Sequence, residues 1–168
     1  AWFARSLCPP LGRRGGARST GHPAGLGAHG WRALVGRTGV DPGESDDVLW
    51  GCVGQVGPQA SNIGRTTVLS AGWPEHVPAM TIDRQCGSSQ QALHAAAHQI
   101  RAGDADLVVA GGVEVMSQVP IASPTRLGLE AGMAHPRGGA KWTARYGKEE
   151  ILQFRGAEPI AERWGPDR

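Results

Sequence analysis

The chain has 168 residues, enough for one domain with a packed core, and its 40% hydrophobic and 19% charged residues exclude a disordered composition. A formal charge of +2 is too small to mark a nucleic-acid or membrane-surface binder, which needs a concentrated basic patch. No apolar run approaches the roughly 20 residues of a membrane helix, so no span is expected.

Residues 1–20 include Pro9-Pro10 and Gly15-Gly16 and read as irregular. No acidic residue precedes Asp41, whereas Arg5, Arg13, Arg14, Arg18, Arg32 and Arg37 do, which is only superficially like an Arg-rich transit segment and is not read as one. The run Arg13 to Arg18 has no interleaved aromatics, so it reads as a surface loop rather than a nucleic-acid tail. From His22 to Thr38, Leu26, His29, Ala33 and Leu34 fall on one side at helical spacing, with Gly39 as the stop. Val48 to Val53 is a short β-type run behind the acidic turn of Glu44 to Asp47. Asn62 has the character of an N-cap for a helix carried by Ile63, Thr66, Thr67 and Ser70, ending at Gly72 before Pro74.

Met80 to Asp83 reads as a second strand. Ser88 or Ser89 then opens a helix with the stripe Leu93, Ala96, Ala97 and Ile100, closed by Gly103. Leu107 to Ala110 is a continuous apolar run, the form of a strand buried on both faces. Strand, helix, strand, helix, strand argues for a layered α/β domain with a mostly parallel sheet. Beyond Pro120 the pattern gives way to a Pro/Gly-rich stretch and a short helix at Ala157 to Trp164.

Three cysteines, Cys8, Cys52 and Cys86, lie far apart with no C-x-x-C pair, which excludes a disulfide framework and a zinc cluster and fits a reducing, cytoplasmic setting. His94 and His98 are four apart on a helix, a chelating spacing. Together with Gln91 and Arg101, however, they form its polar side, so solvent exposure is expected and no metal site. Cys86 stands at the strand-to-helix junction of Thr81-Ile82-Asp83-Arg84-Gln85-Cys86-Gly87-Ser88-Ser89. There the unpaired N–H groups of the first helical turn and the positive end of the helix dipole favour a thiolate. The same N–H groups, that of Cys86 included, can hold the oxyanion of a tetrahedral adduct, and Gly87 allows the sharp turn. A free cysteine is also commonly a small buried hydrophobe, and spacing leaves both readings open.

Asp83 to Ala92 closely resembles the nucleophile segment of thiolases. Gly12 to Gly16, Asp46 to Gly51, Asn62 to Arg65 and Gly111 to Ser117 resemble other family segments, in family order. Ile160 to Gly165 resembles the helix that opens the family's coenzyme A-binding loop region. The resemblance implies the amino-terminal half of a thiolase-like layered fold over residues 21–119, with the start of that loop region, truncated, at 120–168. It also implies an acyltransferase of lipid and fatty acid metabolism. Cys86 would take an acyl group from acyl-CoA as a thioester, and a second acyl-CoA or coenzyme A would complete Claisen condensation or thiolytic cleavage, the logic of covalent catalysis. Coenzyme A and acyl-CoA enter as substrates, no cofactor is permanently bound, and a homo-oligomer is the family habit.

The family's further groups are a G-H-P histidine, an N-E-A-F-like asparagine and a second cysteine in C-x-G-G-G, all from the carboxy-terminal half. Gly21-His22-Pro23 spells the first motif but precedes the nucleophile, so His22 reads as a helix-start residue; Cys8 and Cys52 lack the C-x-G-G-G context. The chain alone is therefore expected to lack full activity, the alternatives being a non-catalytic thiolase remnant or a pairing subunit. A β-ketoacyl synthase shares the fold and cysteine, but Gln85-Cys86-Gly87 favours thiolase over the synthases' Ala-Cys pair. Two departures stand out. The start, through Cys8-Pro9-Pro10, shows no recognisable first strand, so the sheet is expected to be incomplete, and Val115 replaces a usual serine.

Overall fold

The computed structural model describes residues 12–13, 15–149 and 151–165. Cys8 and the stretch where a first strand is in doubt lie outside them. The chain divides into two compact units, one up to Arg126 and one from Leu127 onward.

The first unit is a three-layer α/β structure. Its elements run α1 (Pro23–Thr38), β1 (Asp47–Gly51), α2 (Ile63–Ser70), β2 (Met80–Ile82), α3 (Ser88–Ala102) and β3 (Val108–Gly112). The strands pair in parallel in the order β2-β1-β3, with Leu49 opposite Met80 and Ala110, and Gly51 opposite Ile82 and Gly112. The path steps from β1 to one side and then back across it. Right-handed crossovers in opposite directions send their helices to opposite faces. Accordingly α1 and α2 cover one face and α3 the other.

Pleating along β1 sends Val48, Trp50 and Cys52 into the α1/α2 layer and Leu49 toward α3. Trp31 of α1 meets Trp50 edge-on at 4.4 Å and stacks on Trp73 at 5.0 Å. The Trp50 ring fits because its walls are glycines: a Cβ on Gly111 would lie 2.5 Å from the ring, and one on Gly27 3.1 Å from it.

The helix faces differ from the expected ones. In α1 the buried residues are Pro23, Ala24, Gly27, Ala28 and Trp31, while His29 is exposed and Leu26, Ala33 and Leu34 are half-buried. In α2 Ile63, Gly64, Thr67 and Val68 are buried, and Thr66 and Ser70 are exposed. In α3 the sheet contacts come from Ser88, Ala92 and Ala96, and Leu93 is 58% exposed. Each helix approaches through its smallest side chains, so a phase read from large aliphatics is rotated. The strand covered on both faces is β1, in the middle of the sheet, whereas β3 lies at an edge and is half-buried throughout. His94 and His98 are exposed, as expected.

Helix ends follow local chemistry. His22 caps α1, its Nδ1 accepting from Ala24 N–H, ahead of Pro23 at the first helical position. Gly39 and Gly103 close α1 and α3 in left-handed conformation. The Asp46 carboxylate accepts from Asp106 and Leu107 N–H at 2.7 and 2.9 Å, and these bonds hold it below the usual carboxylate range while pinning the entry to β3 beside β1.

Beyond Pro120 the chain is more helical than its composition suggests, with α4 (Ser123–Glu130), α5 (Ala140–Tyr146) and α6 (Gln153–Trp164). The helix expected at Ala157 starts four residues earlier and carries Pro159 within it. No described residue of the second unit is buried, and Phe154 and Trp164 are 80% and 67% exposed. Among the described residues no helix is long and apolar enough to cross a membrane, and no cluster of His, Cys, Asp and Glu is arranged to hold a metal ion.

Candidate active site

Because all three strands are parallel, their carboxyl ends share one rim, the usual position of ligand sites in open α/β sheets. Gly51 ends β1, Gly112 ends β3, and the chain leaving β2 turns through Asp83 to Gly87 into α3 on that rim. Cys86 sits in the turn and its side chain is exposed. This removes the reading of Cys86 as a buried hydrophobe.

The turn is tightly specified. Gln85 has φ 49°, a left-handed conformation that costs a side-chain-bearing residue roughly 1–2 kcal/mol. Four bonds stabilise it: Gln85 N–H donates to Asp83 Oδ1 at 2.8 Å, Gly87 N–H to Arg84 O at 3.1 Å, Ser88 N–H to Gln85 O at 3.0 Å and Arg84 N–H to Ser88 Oγ at 2.9 Å. Ser88 Oγ–H in turn donates to Gln85 O at 2.5 Å. Cys86 N–H is not among these donors.

Two glycines seat the first turn of α3 on the sheet. A Cβ on Gly51 would lie 2.5 Å from Ser89 N, and one on Gly112 would collide with Ser89 Oγ and lie 2.5 Å from Gly51 O. With no side chain at either position, backbone meets backbone, and Cys86 is held at the rim rather than above it.

A polar clasp joins the loops that continue β1 and β3. Glu114 accepts from Val53 N–H at 2.8 Å, Gly54 N–H at 3.1 Å and Gln59 Nε2 at 2.8 Å. Gln59, fully buried, also donates to Gly54 O at 2.8 Å and accepts Val115 N–H at 2.7 Å. Gln59 and Glu114 are 55 residues apart, and nothing in either local sequence announces the pairing. Val115, where the family resemblance leads one to look for serine, is buried and uses its backbone N–H in the clasp.

β2 is fixed from the other side. Asn62 caps α2 by accepting Arg65 N–H at 3.2 Å, takes the Thr81 hydroxyl at 2.7 Å and donates to Ala79 O at 2.8 Å. Arg65 donates to Val77 O at 2.5 Å and Glu75 O at 2.6 Å, clamping the approach to the strand.

The other expected residues divide clearly. Cys52 is buried, and burial, reinforced by the nearby Glu114 charge, pushes its thiol up to about 12, leaving it inert at neutral pH. His22 is committed to its cap. Among the described residues the site offers one exposed thiol, just ahead of a fifteen-residue helix.

The family model described as thiolase, N-terminal domain matches residues 5–153. A steroid 3-ketoacyl-CoA thiolase from Mycobacterium tuberculosis is 52% identical over 169 residues, an alignment covering all of this chain and 42% of the relative. A 3-ketoacyl-CoA thiolase from Pseudoalteromonas translucida is 42% identical over 141 residues, with 82% of this chain and 36% of the relative covered. Among solved structures, the acetyl-CoA acetyltransferase of Bacillus anthracis superposes with a TM-score of 0.62 at 43% identity, over 66% of this chain and 28% of that one. The chain thus spans about two fifths of the length of the curated relatives it matches. An exposed cysteine on a strained strand-to-helix turn, on a parallel sheet with these relatives, leads to one conclusion: the chain belongs to the thiolase family and corresponds to its amino-terminal domain.

Proposed function

We propose that Cys86 is the acyl-accepting nucleophile of a thiolase-type acyltransferase, and that acyl-CoA is the donor. The supporting observation is the exposed thiol on the Asp83–Gly87 turn, at the head of α3 and on the ligand-binding rim of the sheet. The Cys86 thiolate attacks the thioester carbonyl of acyl-CoA. The tetrahedral oxyanion takes a hydrogen bond from the backbone N–H of Cys86, those of Arg84, Gln85, Gly87 and Ser88 being engaged within the turn, and collapses to expel the coenzyme A thiolate. The acyl group is left as a thioester on Cys86.

Completing the cycle, by condensation with a second acyl-CoA or by thiolysis, requires proton transfer at the substrate. In the family a second cysteine acts as acid and base, beside a histidine and an asparagine that positions a water, none matched by motif and position in this chain. Cys52 and His22 do not substitute for them, being buried and committed to a cap. The half-reaction on Cys86 is therefore the activity assigned to these residues, and the remaining groups would come from sequence beyond them. A single acid–base group is commonly worth about 10²- to 10⁴-fold, so turnover by this chain alone should be very low. A reducing compartment suits the free thiols of Cys52 and Cys86, and a dimer or tetramer suits the family.

The test is intact-protein mass spectrometry of the chain and its Cys86→Ser variant after incubation with acetyl-CoA or acetoacetyl-CoA. An acetyl adduct present only with Cys86 intact is the expected result. A folded chain that takes up no acyl group would reduce the reading to a non-catalytic pairing or remnant domain.

A further inference from the structure

The most strained residue of the nucleophile turn is bracketed by a single buried hydroxyl. Gln85 holds φ 49° although it is not glycine, so neighbouring bonds must keep it there. Ser88 is 5% exposed, and its Oγ accepts Arg84 N–H at 2.9 Å and donates to Gln85 O at 2.5 Å. The first belongs to the peptide joining Asp83 to Arg84 and the second to the peptide joining Gln85 to Cys86, so the hydroxyl spans the backbone of Arg84 and Gln85 directly before Cys86. Ser88 is the buried side chain among the turn's bonds, and the exposed Asp83 holds Gln85 N–H at 2.8 Å from the opposite end.

We infer that Ser88 is a positioning residue for the acyl-transfer half-reaction: its hydroxyl fixes the left-handed conformation of Gln85 and so presents the Cys86 thiol at the mouth of α3. This rests on reading Cys86 as the acyl acceptor. Ser88 need touch no substrate, because it acts through the backbone it bridges. Without the hydroxyl, Gln85 relaxes toward negative φ and the peptide between residues 85 and 86 rotates. The sulfur then leaves its place at the head of α3.

The experiment measures alkylation of Cys86 by iodoacetamide, using peptide mass spectrometry of the whole chain from about pH 6 to about pH 10. Buried Cys52, read in the same digest, reports whether the domain stays folded. Ser88→Ala should slow Cys86 labelling at neutral pH about tenfold, with Cys52 still protected. Adding Gln85→Gly to Ser88→Ala should restore most of the wild-type profile, because glycine adopts positive φ without the hydroxyl's help. A wild-type profile in Ser88→Ala, or no recovery on adding Gln85→Gly, overturns the inference. If Ser88→Ala exposes Cys52, Ser88→Thr decides: with Cys52 protected, a wild-type profile supports the hydroxyl's role and a slower one overturns it. Acylation of the wild-type chain is measured in parallel. A wild type that alkylates normally but takes no acyl group overturns the nucleophile reading alone, which separates the two failures.

Discussion

A single methyl group added at Gly51 should be felt at Cys86, the proposed nucleophile. Its Cβ would lie 2.5 Å from Ser89 N, 2.7 Å from the Ser88 carbonyl carbon and 2.8 Å from Ser89 Cα, all backbone atoms that no rotamer change can move. Ordinary contact begins at 3.4 Å, so the first turn of α3 must retreat by about 1 Å, at the cost of about 1–3 kcal/mol typical of overpacking. Gly36 in α1 is the control: a Cβ there meets nothing within 4 Å, and Gly36→Ala should gain about 1 kcal/mol from helix propensity. In urea, with a slope of about 1.5 kcal/mol per molar, the two alanines should move the midpoint in opposite directions, Gly51→Ala down by about 1–2 M. Acyl transfer to Cys86 should fall further than stability alone explains, since a displacement of about 1 Å at a reacting group can cost about 10²-fold. A Gly51→Ala chain with wild-type midpoint and wild-type acylation would refute the seating of α3 on the strand end.

Three further outcomes follow from the same geometry. Gln59→Leu should destabilise the chain by about 3 kcal/mol in urea titration, because Val115 N–H and Gly54 O, both buried, lose their partner. Asn62→Ala should cost about 2 kcal/mol, through the lost cap and the left-handed φ of 62°, whereas Asn62→Gly should recover part of that in the same titration. Cys52 binds its proton more tightly folded than unfolded, so its contribution is complete below pH 9 and is lost as pH rises toward 12. Wild type should therefore lose more stability than Cys52→Ala between pH 8 and pH 10, as urea midpoints at the two pH values would show.

What was legible in the sequence was punctuation and chemistry. Gly39, Gly103, Asn62 and the Cys86 junction are local signals, and each marks the turn or cap it suggests. Helix phase was less legible. Leu93 and His29 are exposed while Ala92, Ala96, Gly27 and Ala28 are buried, because these helices lie so close that only small residues fit between them and their neighbours. An apolar run likewise does not say whether its strand is central or at an edge, and the pairing register places β1, not β3, in the middle. Cys86 was found through its neighbours in sequence. The Gln59–Glu114 clasp was not, because its members meet only after the sheet has formed.

Trp50 and the glycines around it form a lock without side-chain slack. One indole sets the distance between the sheet and the α1/α2 layer, and Gly27, Gly64 and Gly111 fit it by what they lack. Tolerance to change at these four positions is therefore collective: a larger residue at Gly111 or Gly27 demands a smaller ring at position 50, and at Gly27 a retreat of Thr67 as well, while one at Gly64 meets the Trp50 Cβ, which no smaller ring relieves. In a lineage of such chains the four positions would have to be inherited, or exchanged, as a set.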